Sequence, residues 1–173
     1  MKKILTIAIL IAVGMAGMAQ RNRVSVGWNG AMKVNGETVA YIEREGCKLL
    51  NNSCQFFITD ESDNLIITVT QRSLKDRETI TPSNPDGTTV TYLVFAFKGS
   101  ESVAEVASPF TPKEKDIAKT IALWRLIKDK QLDPEAVTQF IAANGTYYSD
   151  KERRQHHPPH KPVAPMEKKV EKQ

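Results

Sequence analysis

Two apolar runs, Phe56-Phe57-Ile58 and Leu65-Ile66-Ile67 continuing to Val69, flank the polar stretch Asp60-Glu61-Ser62-Asp63-Asn64. A segment that is apolar in both arms and polar in the middle folds back on itself, so residues 54–70 predict a β-hairpin at the centre of a small sheet. Upstream, Val24, Val26 and Trp28 alternate at period two before Asn29-Gly30, the pattern of a half-buried strand broken by a bulge or turn. Val34-Asn35-Gly36-Glu37 then sets Asn-Gly between two extended arms, and both central positions of a type I′ turn need the positive φ that these residues tolerate. A tight hairpin is expected over residues 31–44, its second arm rich in β-branched and aromatic residues. Residues 71–89 are polar and hold Pro82, Pro85 and Asp86-Gly87, which predicts a long loop. Residues 90–98 are apolar on both faces, as a central strand covered on each side would be, so further elements must pack on the sheet.

Those covering elements come last in the chain. Thr111-Pro112-Lys113-Glu114 has the spacing of a capping box with proline in the first turn, and Ile117, Ile121, Trp124 and Ile127 recur at three and four residues. The spacing predicts a helix over residues 112–130. Asp133-Pro134-Glu135 restarts a second helix whose apolar face is Val137, Phe140 and Ile141, with Asn144-Gly145 as its stop. From Asp150 onward the chain is rich in proline, histidine and lysine and poor in large apolar residues, so residues 150–173 are expected to be a disordered tail. Deleting them is expected to leave the melting temperature within about a degree. Strands followed by helices give an α+β class: a partly curled antiparallel sheet of about five or six strands, with two C-terminal helices packed on it.

The first residues change the expected compartment. Lys2 and Lys3, an apolar run from Ile4 to Val13 and small residues up to Ala19 have the order of a secretory signal peptide, residues 1–19, leaving one α+β domain over residues 20–149. The apolar run is shorter than the roughly 20 residues that a membrane-spanning helix needs, and no later segment approaches that, so no transmembrane segment is expected in the mature chain. Export to the periplasm or the cell surface follows. In that setting Cys47 and Cys54, the only two cysteines, are candidates for a disulfide between the ends of neighbouring strands.

The formal charge of +4 loses its meaning when it is placed along the chain. Setting aside the two leader lysines and the seven basic and four acidic groups of residues 150–173 leaves 15 basic and 16 acidic groups in the domain. A domain near neutrality has no phosphate-neutralising excess, and nucleic acid is not expected as a partner.

Candidate chemistry is sparse. All three histidines, His156, His157 and His160, fall in the tail, where a short His-rich tract is a weak metal candidate. The domain itself holds none, which removes the usual general base for serine or cysteine nucleophiles, and no phosphate loop or zinc-protease motif occurs. Asp60, Glu61 and Asp63 would be the carboxylates of a small histidine-independent hydrolase, but acids are expected in a turn in any case. Tyr147 and Tyr148, just past the second helix, are candidates for a contact surface, as is Trp28, although core packing explains Trp28 equally well. Asn51-Asn52-Ser53 and Asn144-Gly145-Thr146 match the glycan acceptor pattern. No cofactor is indicated. The reading with most support is an exported, non-enzymatic module that binds a partner protein, an envelope component or a small ligand. The alternative is a carrier of a small apolar ligand in a cavity between sheet and helices.

Overall fold

Asn35 and Gly36 take φ of 55° and 92° and close a two-residue turn between β2 (Ala31–Val34) and β3 (Glu37–Glu45), as their sequence predicts. The computed structural model describes residues 22–47 and 54–156. Residues 1–19, read as a signal peptide, the glycan pattern at Asn51, and His157 and His160 lie outside these residues.

β1 (Val24–Val26) precedes this hairpin; β4 (Gln55–Thr59), β5 (Leu65–Asp76), β6 (Thr88–Phe97) and β7 (Val103–Ala107) follow it. Each strand pairs antiparallel with the next, so the sheet is a curled seven-stranded meander in chain order rather than one of five or six strands. The strand missing from the sequence reading is β7, a short edge strand, and β5 is in addition longer than its apolar run suggests. Residues 71–76, read as loop because they are polar, continue β5 and pair with residues 88–93 of β6; Gln71 and Leu74 are buried there. Their strand character comes from the partner strand and not from their own composition. The loop that remains is closed by a 3₁₀ turn at Arg77–Thr79 and by Gly87, whose φ of 71° brings it so near Asp76 that a Cβ would sit 2.7 Å from the Asp76 carbonyl.

One face of the sheet carries the core: Met32, Ile42, Phe56, Ile58, Val69 and Phe95 among others. Helix α1 (Glu114–Leu123) covers it with Ile117, Ala118 and Ile121, and packs against β1 and β3. The expected cap at Thr111 is displaced by two residues. Lys113 is the N-cap, its amide donating to Asp116 Oδ2 at 3.2 Å, while Glu114 pairs with Arg44 at 3.1 Å. The helix also ends seven residues earlier than its periodicity predicts. Leu126 donates its amide to the Ile121 carbonyl at 3.0 Å, and Arg125 adopts a left-handed φ of 53°. The chain then turns through β8 (Ile127–Lys128) and β9 (Gln131–Leu132), a hairpin whose Asp129 and Lys130 both have positive φ.

Helix α2 (Pro134–Asn144) forms as predicted. Asp133 Oδ1 accepts from the amides of Glu135 and Ala136, Pro134 stands in the first turn, and Gly145 at φ 56° ends it. It packs against β7 and places Phe140 at the centre of the core.

A third helix, α3 (Tyr147–His156), lies where a disordered tail is expected from residue 150, so the domain boundary at 149 falls inside a helix. It covers the opposite face of the sheet. Tyr148 stacks on Tyr92 of β6 with ring centroids 4.7 Å apart, and Glu105 of β7 receives the amides of Tyr148 and Ser149 at 2.7 and 3.0 Å. The two-sided apolar pattern of β6 is thus matched by helices on both sides.

Candidate functional site

The break in the chain at Arg125 shapes the one cleft between the sheet and the helices that we single out. Because the backbone turns left there, the β8–β9 hairpin diverges from α1 and leaves a slot against the outer part of the sheet. Its walls are Val34 and Val39 from the first hairpin, Ile121 and Ala122 from the end of α1, and Ile127 from β8. The slot holds about 330 Å³ and is lined mainly by apolar atoms, a size at the small end for ligand pockets. Val34, Val39 and Ile127 are only half-buried, so they leave aliphatic surface facing water.

Polar groups border it on two sides. Asn22 clasps one end: its amide donates to the Ala122 carbonyl at 3.5 Å and its Oδ1 accepts from Asn35 at 3.3 Å, joining the β2–β3 turn to α1. Arg125, Lys128 and Asp133 border the rest. The sequence does not bring these residues together as a site, because an uninterrupted helix over residues 112–130 would have carried Arg125 and Ile127 along α1.

The sequence-predicted candidates are placed elsewhere. Cys47 and Cys54 form a disulfide with Cα atoms 4.4 Å apart, tying the end of β3 to the start of β4. Closing so short a loop contributes about 2–3 kcal/mol in the chain-entropy picture. Trp28 is fully exposed at the tip of the β1–β2 turn and not in the core. Beside it Tyr41, Glu43, Thr59 and Asp63 border a more polar hollow of about 490 Å³. Tyr147 is 57% exposed, whereas Tyr148 is half-buried, stacked on Tyr92 and packed edge-on to Tyr147. His156 is exposed at the end of α3. Among the described residues no group of three or more histidine, cysteine or acidic side chains is arranged to hold a metal.

The acidic turn is occupied with structure. Asp60 Oδ1 accepts from the amides of Ser62 and Asn64 and from the Asn64 side chain, and Glu61 binds Lys130 of the β8–β9 turn at 2.6 Å. The Asn144-Gly145-Thr146 pattern is likewise committed, with Asn144 donating to the Phe140 carbonyl and Thr146 to Asp150.

A second polar assembly, invisible in the sequence, fastens α3 to the sheet. Glu105, 3% exposed, takes three donors from the start of the helix: two backbone amides and the Ser149 hydroxyl. A carboxylate at a helix N-terminus meets both unpaired amides and the positive end of the helix dipole. One turn on, Lys151, 9% exposed, reaches Asp76 and Glu78 at 2.8 Å each. The Tyr92 hydroxyl is buried with no partner in hydrogen-bond geometry; Ser149 lies near it, but its proton goes to Glu105. Burial, together with the Glu152 and Glu105 carboxylates, holds the Tyr92 phenol above its usual range despite the opposing effect of Ser149.

These contacts set a pH dependence. Hydrogen bonding to Lys151 lowers the Asp76 carboxyl below its ordinary 3.8, hydrogen bonds from Asn64 lower Asp60, and Arg153 and Thr146 lower Asp150. Depressed carboxyls stabilise the fold above their unfolded pKa and lose that contribution as pH falls through the folded value. Lys151 is raised above 10.5 by Asp76 and Glu78, so its contribution is complete below that pH and is lost only in strong alkali. The denaturant midpoint is therefore expected to be level across the neutral range and to fall once the pH drops below 3.8. Loss of amide-exchange protection in α3 should be part of that fall. A midpoint that falls steadily from neutrality downward would contradict this.

Among the described residues no helix is long and apolar enough to cross a membrane. Comparison with protein-family models, with curated proteins and with solved structures yields no match for this chain.

Proposed function

We propose that the protein is an exported, non-enzymatic binding module of the cell envelope that takes a small, largely apolar ligand in the cleft between β2, β3, the end of α1 and β8. The observation that carries this reading is the cleft itself: about 330 Å³ walled by five aliphatic side chains beside the buried core. Half-buried aliphatics held on a sheet and a helix form a pre-shaped site, and displacing water from them supplies binding free energy. Export is supported by the leader pattern and by the disulfide, which suits an oxidising compartment.

The test is binding of an uncharged solvatochromic dye to the full mature chain. Val39→Trp, which projects a ring into the cleft, is expected to weaken binding about tenfold, equivalent to about 1.4 kcal/mol. Equal dye affinity in the native chain and a folded Val39→Trp variant would refute the reading.

A second reading, docking of an envelope partner through the β1–β2 turn, is favoured by the complete exposure of Trp28, since a large aromatic standing in water is a natural interface anchor. Trp28→Ala separates the two: it should leave dye binding unchanged.

A further inference from the structure

The charges around the cleft narrow what it would hold, and this inference rests on the cleft being the binding site. Four polar side chains border the apolar walls: Asn22, Arg125, Lys128 and Asp133. Two of them are already committed. Asn22 spans from Asn35 to the Ala122 carbonyl, and the Asp133 carboxylate caps α2 by accepting from Glu135 and Ala136 at 3.0 and 3.2 Å. Arg125 and Lys128 are different. Among the described residues neither enters an ion pair, whereas the neighbouring Lys130 is held by Glu61. Among the described residues the cleft thus presents an apolar interior with two cations at its border that enter no ion pair, beside one carboxylate, Asp133, whose Oδ1 is engaged with backbone amides.

The backbone at Arg125 adds to this. A φ of 53° is a conformation that glycine and asparagine adopt readily and that other residues adopt at a cost. Glycine would make the same turn without strain, yet the residue at this turn is a long cation bordering the cleft.

We infer that the cleft selects anionic amphiphiles: molecules with a short hydrocarbon chain that fills the slot between Val34, Val39, Ile121 and Ile127, and one anionic group that lies between Arg125 and Lys128. Ion pairing and charge-assisted hydrogen bonds fix the head, while the chain supplies most of the affinity. A guanidinium suits a carboxylate or sulfate well, because its planar fork can bond both oxygens. The competing explanation is that the two cations merely complement the negative end of the α1 dipole, which would give no preference among head groups.

Isothermal titration of the full mature chain with octanoate, octanol and octylammonium, each below its micelle concentration, decides between them. Octanoate is expected to bind about fivefold more tightly than octanol, the size of an exposed ion-pair contribution, and octylammonium more weakly than either. High salt should shrink the octanoate advantage. Arg125→Asn combined with Lys128→Gln should abolish it, so that the variant binds octanoate and octanol equally; asparagine suits the left-handed backbone, and either single substitution serves if the double variant is unstable. Octanol and octanoate binding equally in the native chain would overturn the head-group assignment and leave the apolar cleft standing. A preference for octylammonium would overturn it also. If none of the three binds, both the assignment and the cleft reading fall.

Discussion

Glu105→Ala is expected to release α3 from the sheet and to lower global stability by about 3 kcal/mol. The carboxylate accepts from two amides and one hydroxyl in a buried setting, and each donor left without a partner costs about 1–3 kcal/mol. The full sum is not reached, because the helix can undock and return those donors to water. What is lost is then the docking itself, including the Tyr92–Tyr148 stack and the burial of Lys151. Chemical denaturation gives the magnitude, and amide exchange over residues 147–156 gives the location. Glu105→Gln keeps an acceptor oxygen in the same shape and should lose markedly less. Truncation after residue 149, which removes Lys151 with the rest of the helix, should resemble Glu105→Ala. A truncated chain with an unchanged melting temperature would restore the expectation of an undocked tail.

Phe140→Ala should cost about 3–5 kcal/mol, the range for removing a buried aromatic ring from a core that cannot fully collapse. The ring is fully buried and meets three others edge to face: Phe95 at 5.2 Å, Phe97 at 5.9 Å and Trp124 at 5.2 Å. It joins α2 to strand β6 and to Trp124, the residue that follows α1. Phe140→Leu keeps most of the volume but not the edge contacts and should cost about 1–2 kcal/mol. A loss below about 1 kcal/mol for Phe140→Ala, measured by urea unfolding, would show that the core at this point is not filled as described.

The elements legible in the sequence are those whose stability is local. Asn35-Gly36 and Asp133-Pro134 mark their turn and their helix start by backbone preference alone, and the apolar runs on either side of Asp60 pair as the pattern implies. Elements held by distant partners were not legible. Residues 71–76 are strand only because β6 lies beside them, and α3, with Tyr148 and Lys151 as its main contacts to the sheet, lacks the apolar stripe by which helices are recognised. Its fastening depends on Glu105, some forty residues away in the chain, which reads as an ordinary surface acid.

The cleft was hidden for a related reason. The spacing of Ile117, Ile121, Trp124 and Ile127 fits a continuous helix, and only the left-handed backbone of Arg125 and the Asp129-Lys130 turn show that the chain leaves it. The one departure from helical periodicity is thus what creates the candidate site. The signals for it were present in Asp129-Lys130, a polar pair between short apolar segments, but a turn formed by two charged residues is a weak cue beside a strong helical period.

Whether ligand enters between the first hairpin and the end of α1 is tested most directly by titrating octanoate into methyl-labelled protein and following its NMR spectrum. The expected result is a saturable shift confined to the methyl groups of Val34, Val39, Ile121, Ala122 and Ile127, with those of the central core residues Ile58 and Val69 unmoved. Saturable shifts elsewhere with these five unmoved, or no saturable shift anywhere, would contradict it.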